Sequence, residues 1–138
     1  MKPRTPAIHT VLLVEDEESL LDVLRLVLEA NGYNVLTAMD GEEAVKVFTA
    51  ERKRIDVVLS DMGLPRLGGW DALIRIKEID PDAKVILASG FYETKLREEV
   101  LAAGAVDFIQ KPYVPEIVLR RIAEIIASEP VSRAKGGG

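Results

Sequence analysis

Glu15, Asp16, Asp61, Ser89 and Lys111 place three carboxylates, a hydroxyl and an ammonium at or just beyond the ends of short apolar runs. Clustered carboxylates raise one another's pKa unless a cation neutralises them. A hard divalent ion such as Mg2+ takes oxygen ligands while retaining waters, which suits Asp16 and Asp61. Lys111 adds a fixed positive charge able to pair with a carboxylate or an incoming phosphoryl group. A carboxylate facing Mg2+, a lysine and a serine hydroxyl has the parts for phosphoryl transfer. Asp61 would be the nucleophile, and the ion, Lys111 and Ser89 would neutralise charge on the equatorial oxygens. Taken singly, each residue is ordinary: an acidic pair after a strand is commonly a charge feature of a helix start, Lys-Pro is loop punctuation, and serine after a strand caps. Their joint placement is what points to chemistry.

The elements that must carry them alternate in type. Thr10 to Val14 is a continuous apolar run, expected of a strand buried on both faces of a parallel sheet. Further strands are expected over Tyr33–Ala38, Ile55–Ser60, Lys84–Ala88 and Val106–Ile109. Helices are expected from Glu18 to the C-capping pair Asn31-Gly32, from Gly41 (behind the N-cap Asp40) to about Lys53, over Trp70–Ile79, over Glu93–Ala103, and from Pro115 to Ala127. Five βα units with short connections predict a parallel sheet covered by helices on both faces. The functional crevice of such a sheet lies beyond the carboxyl ends of its strands, where the strand order switches. Glu15-Asp16, Asp61, Ser89 and Lys111 stand at four of those ends.

Length and composition bound the rest. The 138 residues, 48% hydrophobic, form one domain of ordinary size. Residues 10–128 carry the periodic pattern, with 1–9 and 129–138 as tails, the second ending in a linker-like Gly136-Gly137-Gly138. The absence of cysteine excludes disulfides, thiol nucleophiles and cysteine-based metal sites. A single histidine, His9, excludes HExxH-type sites and reads as an ordinary strand-edge residue. No apolar run approaches the ~20 residues of a membrane span, and no signal peptide opens the chain. A cytoplasmic protein without a membrane association is expected. The net charge of −5 argues against nucleic acid as a direct partner.

At this point the chain resembles a known family, the receiver domain of two-component response regulators. The motifs that carry the resemblance are Val11-Leu12-Leu13-Val14-Glu15-Asp16-Glu17, Asp40-Gly41-Glu42-Glu43-Ala44, Val57-Val58-Leu59-Ser60-Asp61-Met62-Gly63-Leu64-Pro65, Val85-Ile86-Leu87-Ala88-Ser89-Gly90 and Phe108-Ile109-Gln110-Lys111-Pro112. The resemblance implies a flavodoxin-like (βα)5 doubly wound parallel sheet with strand order 2-1-3-4-5. It implies phosphorylation of Asp61 by the phosphohistidine of a histidine kinase or a histidine phosphotransfer protein, and a signalling role in which the only catalysis is the chain's own phosphorylation and dephosphorylation. Asp16, Asp61 and the backbone carbonyl of Gly63 would bind Mg2+ directly, and Glu15 mostly through a water. Ser89 and Phe108 would be the switch pair, the hydroxyl moving to the phosphoryl group and the ring following inward. The bond before Pro112 would be cis and help to aim Lys111. Three positions depart from the pattern: Glu15 stands where aspartate is commoner, Gly63 offers no side chain to the acyl phosphate, and Phe91 is a bulky ring two residues after Ser89.

Output is only hinted at. At ~100° per residue, the first helix gathers Leu20, Val23, Leu24, Val27 and Leu28 on one stripe and leaves Leu26 nearly opposite. The last helix gathers Val118, Ile122, Ile125 and Ile126 and leaves Ile117 outside. Leu26 or Ile117 is thus a candidate for a docking or homodimer surface, Trp70 for packing, and Met62 for packing over the site. After Ala127 eleven residues remain, too few for an effector module, so a downstream protein is expected to read the switch. No nucleotide loop of GxxxxGK type is present, which counts against kinase activity. A stand-alone regulator and a receiver excised from a longer protein both fit. The competing readings are a metal-dependent phosphohydrolase, disfavoured by Gly63 where a second catalytic Asp would be needed, and a receiver-like scaffold, disfavoured by Asp16, Asp61, Ser89 and Lys111.

Overall fold

The computed structural model describes residues 8–64, 66–90 and 94–128. The tail residues 1–7 and 129–138, Pro65, Phe91 and the expected helix start Glu93 lie outside the described residues.

Ten elements alternate strictly: β1 (Thr10–Val14), α1 (Glu18–Ala30), β2 (Asn34–Ala38), α2 (Gly41–Glu51), β3 (Ile55–Asp61), α3 (Gly69–Ile79), β4 (Val85–Ser89), α4 (Thr94–Ala102), β5 (Asp107–Gln110) and α5 (Pro115–Ala127). The strands form one parallel sheet in the order β2-β1-β3-β4-β5, so the expected topology holds.

Successive side chains of a strand point to opposite faces, and β1 shows why its apolar run is unbroken. Leu12 and Val14 face a core built with Ala44 and Phe48 of α2, Leu73 and Ile76 of α3 and Val100 of α4. Val11 and Leu13 face a second core built with Leu21, Leu24 and Leu28 of α1 and Val118 and Ile122 of α5. Both faces of the sheet are therefore covered. The turn after α1 forms as Asn31-Gly32 foretold: Gly32 adopts φ 91, and the amides of Gly32 and Tyr33 return to the carbonyls of Glu29 and Leu28. These are the two bonds of a Schellman motif, which needs a left-handed residue that glycine supplies without strain. Asp40 caps α2, accepting from the Glu43 amide at 2.8 Å.

Some details differ from expectation. The buried stripe of α1 centres on Leu21, Leu24 and Leu28, while Val23 is 52% exposed, so the helix is rotated relative to the stripe that Val23 and Val27 would define. Strand β3 continues to Asp61 because Asp61 still pairs with Ala88, and β4 continues to Ser89 because Ser89 pairs with Gln110. Helix α2 ends at Glu51, with a turn at residues 52–54.

Candidate functional site

The strand order places the crevice. From β1 the chain first adds β2 on one side and then β3 on the other, so the connections leave β1 and β3 toward opposite faces and open a gap at their carboxyl ends. Val14 is level with Ser60 across the β1–β3 pair, and Asp61 is level with Ala88 across β3–β4. Glu15 and Asp16 therefore leave β1 beside Asp61, and Lys111 leaves β5 two strands away.

The side chains converge there. Glu15 is 2% exposed and Asp61 8%, whereas Asp16 is open to solvent. One oxygen of each of the three carboxylates lies within 4.8 Å of the others. The Lys111 ammonium reaches between two of them, donating to Glu15 Oε1 at 3.1 Å and to Asp61 Oδ1 at 3.3 Å. Glu15 is fixed at both ends: its amide donates to the Ala38 carbonyl at 3.0 Å, and its Oε2 accepts from the Glu17 amide at 3.3 Å. Burial pushes the Glu15 carboxyl above its usual 4.5, against the pull of Lys111. Burial would lower Lys111, but its bonds to the two carboxylates prevail and hold it above 10.5.

The donor set fits a hard divalent cation. Three clustered carboxylates, two of them buried, face a single ammonium among the described residues, and all of their free lone pairs are oxygen.

The other expected residues fall around this cluster. Ser89 ends β4 half-buried, and its carbonyl accepts the Lys111 amide at 2.8 Å. Phe108 is 3% exposed and belongs to the core shared with α2, α3 and α4. The Lys111–Pro112 peptide is cis. Gly63 lies in the turn just after Asp61; a Cβ there would be 3.6 Å from Asp61 Oδ2, an ordinary contact. Met62 and Trp70 are partly buried against the α2–α4 core. Leu26 is 60% exposed, while Ile117 is half-buried.

Two features escape a reading of the sequence. Tyr113 packs partly against the α1–α5 core, and the Lys111 ammonium lies 5.4 Å from its ring centroid. Burial and then the charges of Glu15 and Asp61 push its phenol well above 10.0. Its only signal in the sequence is its position two residues after Lys111. The second feature is Gly69, where a Cβ would come within 2.2 Å of the Asp61 carbonyl oxygen. The start of α3 is thereby laid directly on the backbone that carries Asp61. Gly41 likewise lets the start of α2 approach the loop before α3, where a Cβ would meet the Leu67 carbonyl at 1.9 Å.

A family model described as the response regulator receiver domain matches residues 11–123. The chemotaxis protein CheY of Treponema pallidum is 34% identical over 119 residues, covering 86% of this chain and 83% of that protein. The chain spans about half the length of several other curated relatives, which are transcriptional regulators. Among solved structures, a response regulator receiver domain protein of Clostridium thermocellum superposes with a TM-score of 0.83 at 31% identity, over 88% of this chain and 97% of that one. The CheX–CheY–BeF3–Mg2+ complex of Borrelia burgdorferi superposes with a TM-score of 0.82 at 34% identity, over 85% and 88%.

Proposed function

Given that the chain belongs to the response regulator receiver family, we propose that Asp61 accepts a phosphoryl group from the phosphohistidine of a partner kinase or histidine phosphotransfer protein. The observation that carries this reading is the placement of a buried Asp61 carboxylate 3.3 Å from the Lys111 ammonium and within 4.8 Å of oxygens of Glu15 and Asp16.

Asp16, Asp61 and the Gly63 carbonyl would hold Mg2+, with Glu15 acting mostly through a water. When bound, the ion supplies positive charge to the phosphoryl oxygens and to the crowded carboxylates. A carboxylate oxygen of Asp61 attacks phosphorus as the P–N bond to the donor histidine breaks. The bonding pair stays on the imidazole, which takes up a proton, and Asp61 becomes an acyl phosphate. Lys111, already desolvated and oriented by Glu15, offers its ammonium to the incoming oxygens with little reorganisation. Ser89 stands at the neighbouring strand end, where its hydroxyl would turn to the new group. Phe108, buried in the core shared with α2, α3 and α4, would carry that change to the surface. Gly63 leaves the acyl phosphate without a shielding side chain from that position. Catalysis is confined to the chain's own phosphorylation and dephosphorylation. A downstream protein, or a second copy of the chain as a homodimer, would read the state, and residues 10–128 would act as the signalling unit. A cytoplasmic location is part of this reading; no described helix is long and apolar enough to cross a membrane.

The test is to incubate the protein with Mg2+ and a small acyl-phosphate donor, beside an Asp61→Asn variant, and to record intact mass. An adduct of about 80 Da, one phosphoryl group, is expected only when Asp61 is present. No adduct on the parent chain would favour a scaffold, and rapid multiple turnover of an unrelated phosphoester would favour a hydrolase.

A further inference from the structure

We infer that Tyr113 is a positioning residue for Lys111: its ring holds the lysine ammonium against Glu15 and Asp61. The inference rests on the reading of Asp61 as the phosphoacceptor. A lysine is a point charge on a flexible four-carbon stem with three donors. Two of those donors are directed to Glu15 and Asp61, at 3.1 and 3.3 Å. The Tyr113 ring lies against the same nitrogen, 5.4 Å from centroid to Nζ, inside the ~6 Å range over which a ring face attracts a cation. The ring has its own anchorage, since Tyr113 packs against the core between α1, α5 and the sheet. A side chain packed against that core limits where the ammonium can go, and the carboxylates draw it inward from there. Burial and the neighbouring carboxylates also keep the phenol neutral, so the ring presents an uncharged π face. The ring face, rather than the hydroxyl, does the positioning.

Two substitutions separate ring from bulk: Tyr113→Phe keeps the face and removes the hydroxyl, and Tyr113→Leu removes the face but keeps apolar bulk. With Mg2+ and the acyl-phosphate donor, Tyr113→Phe should be phosphorylated at the parent rate, while Tyr113→Leu should be slower by about tenfold, the size of a partly desolvated cation–π contact. In proton NMR, the side-chain methylenes of Lys111 next to the ammonium should carry a ring-current shift that Tyr113→Phe preserves and Tyr113→Leu abolishes. Equal rates for the parent and Tyr113→Leu, or a Phe variant as slow as the Leu variant, would overturn the inference. If the parent forms no Asp61-dependent adduct, the phosphoacceptor reading fails. The NMR comparison then decides the Tyr113 contact alone, and a Lys111 signal indifferent to both substitutions refutes it.

Discussion

Replacing Lys111 by methionine removes the one ammonium between two buried carboxylates and retains much of the apolar stem. At an effective dielectric of about 20, a unit charge pair at 3.1 or 3.3 Å attracts by about 5 kcal/mol. The gross loss over both partners is therefore about 10 kcal/mol. Much of it is offset, because the folded parent had to desolvate the ammonium, whose side chain is only 19% exposed. Breaking a buried pair by deleting one member generally costs about 3–5 kcal/mol, and this cluster opens to water through Asp16. A net loss near the lower figure, about 3 kcal/mol, is expected for the metal-free protein. That corresponds to a drop of about 10 °C in thermal midpoint for a domain of this size. The assay is urea or thermal unfolding with chelator present, repeated with saturating Mg2+. A bound cation takes over the role of counter-charge, so Mg2+ should stabilise Lys111→Met more than the parent. A chelated variant melting within about 2 °C of the parent would refute the view that Lys111 holds the carboxylates together. Equal stabilisation of both proteins by Mg2+ would refute the second half.

Three further outcomes are expected. Lys111 and Tyr113 both titrate above their usual 10.5 and 10.0 in the folded state, so each contributes stability that is complete below those values and lost as pH rises beyond them; chelated protein should lose stability from about pH 10 upward, less steeply in Tyr113→Phe, as read by urea midpoints across pH. Gly69→Ala should cost about 2–4 kcal/mol because its methyl would strike the Asp61 carbonyl, whereas Gly63→Ala should stay within about 1 kcal/mol of the parent; equal unfolding midpoints for the two would contradict the close approach of α3. Leu26→Asp, on an exposed face, should leave the midpoint within about 0.5 kcal/mol of the parent, while Leu24→Asp, 2% exposed, should prevent folding, both judged by circular dichroism.

Particular residues show where sequence reasoning reaches and where it stops. The unbroken Thr10–Val14 run, the Asn31-Gly32 cap and Asp40 at the start of α2 are local signals, and each has the expected structure. The convergence of Glu15, Asp16, Asp61 and Lys111 follows from strand order alone, because each stands at a strand's carboxyl end. The stripe of α1 is less determinate. Apolar residues at 20, 21, 23, 24, 27 and 28 allow two overlapping stripes, and only packing on the sheet selects Leu21 over Val23. Strand ends at Asp61 and Ser89 depend on a partner strand, which no local pattern encodes. The contact of Tyr113 with Lys111 depends on how the chain turns after β5 and that of Gly69 with Asp61 on where α3 starts, and neither follows a helical or strand period, so a tyrosine after Lys-Pro and a glycine in a Gly-Gly pair look ordinary in the chain.

Glu15 and Lys111, whose side chains meet at 3.1 Å, are 96 residues apart. A ribosome therefore releases the acidic residues long before the lysine that offsets them, and until β5 has emerged the nascent chain holds carboxylates with every reason to stay apart. Domains generally fold as units during synthesis, and here the last strand also completes the charge balance of the first. Cation binding to this cluster should accordingly need the completed sheet rather than the lysine itself, and a nascent chain halted before β5, unable to fold as a unit, should lack it.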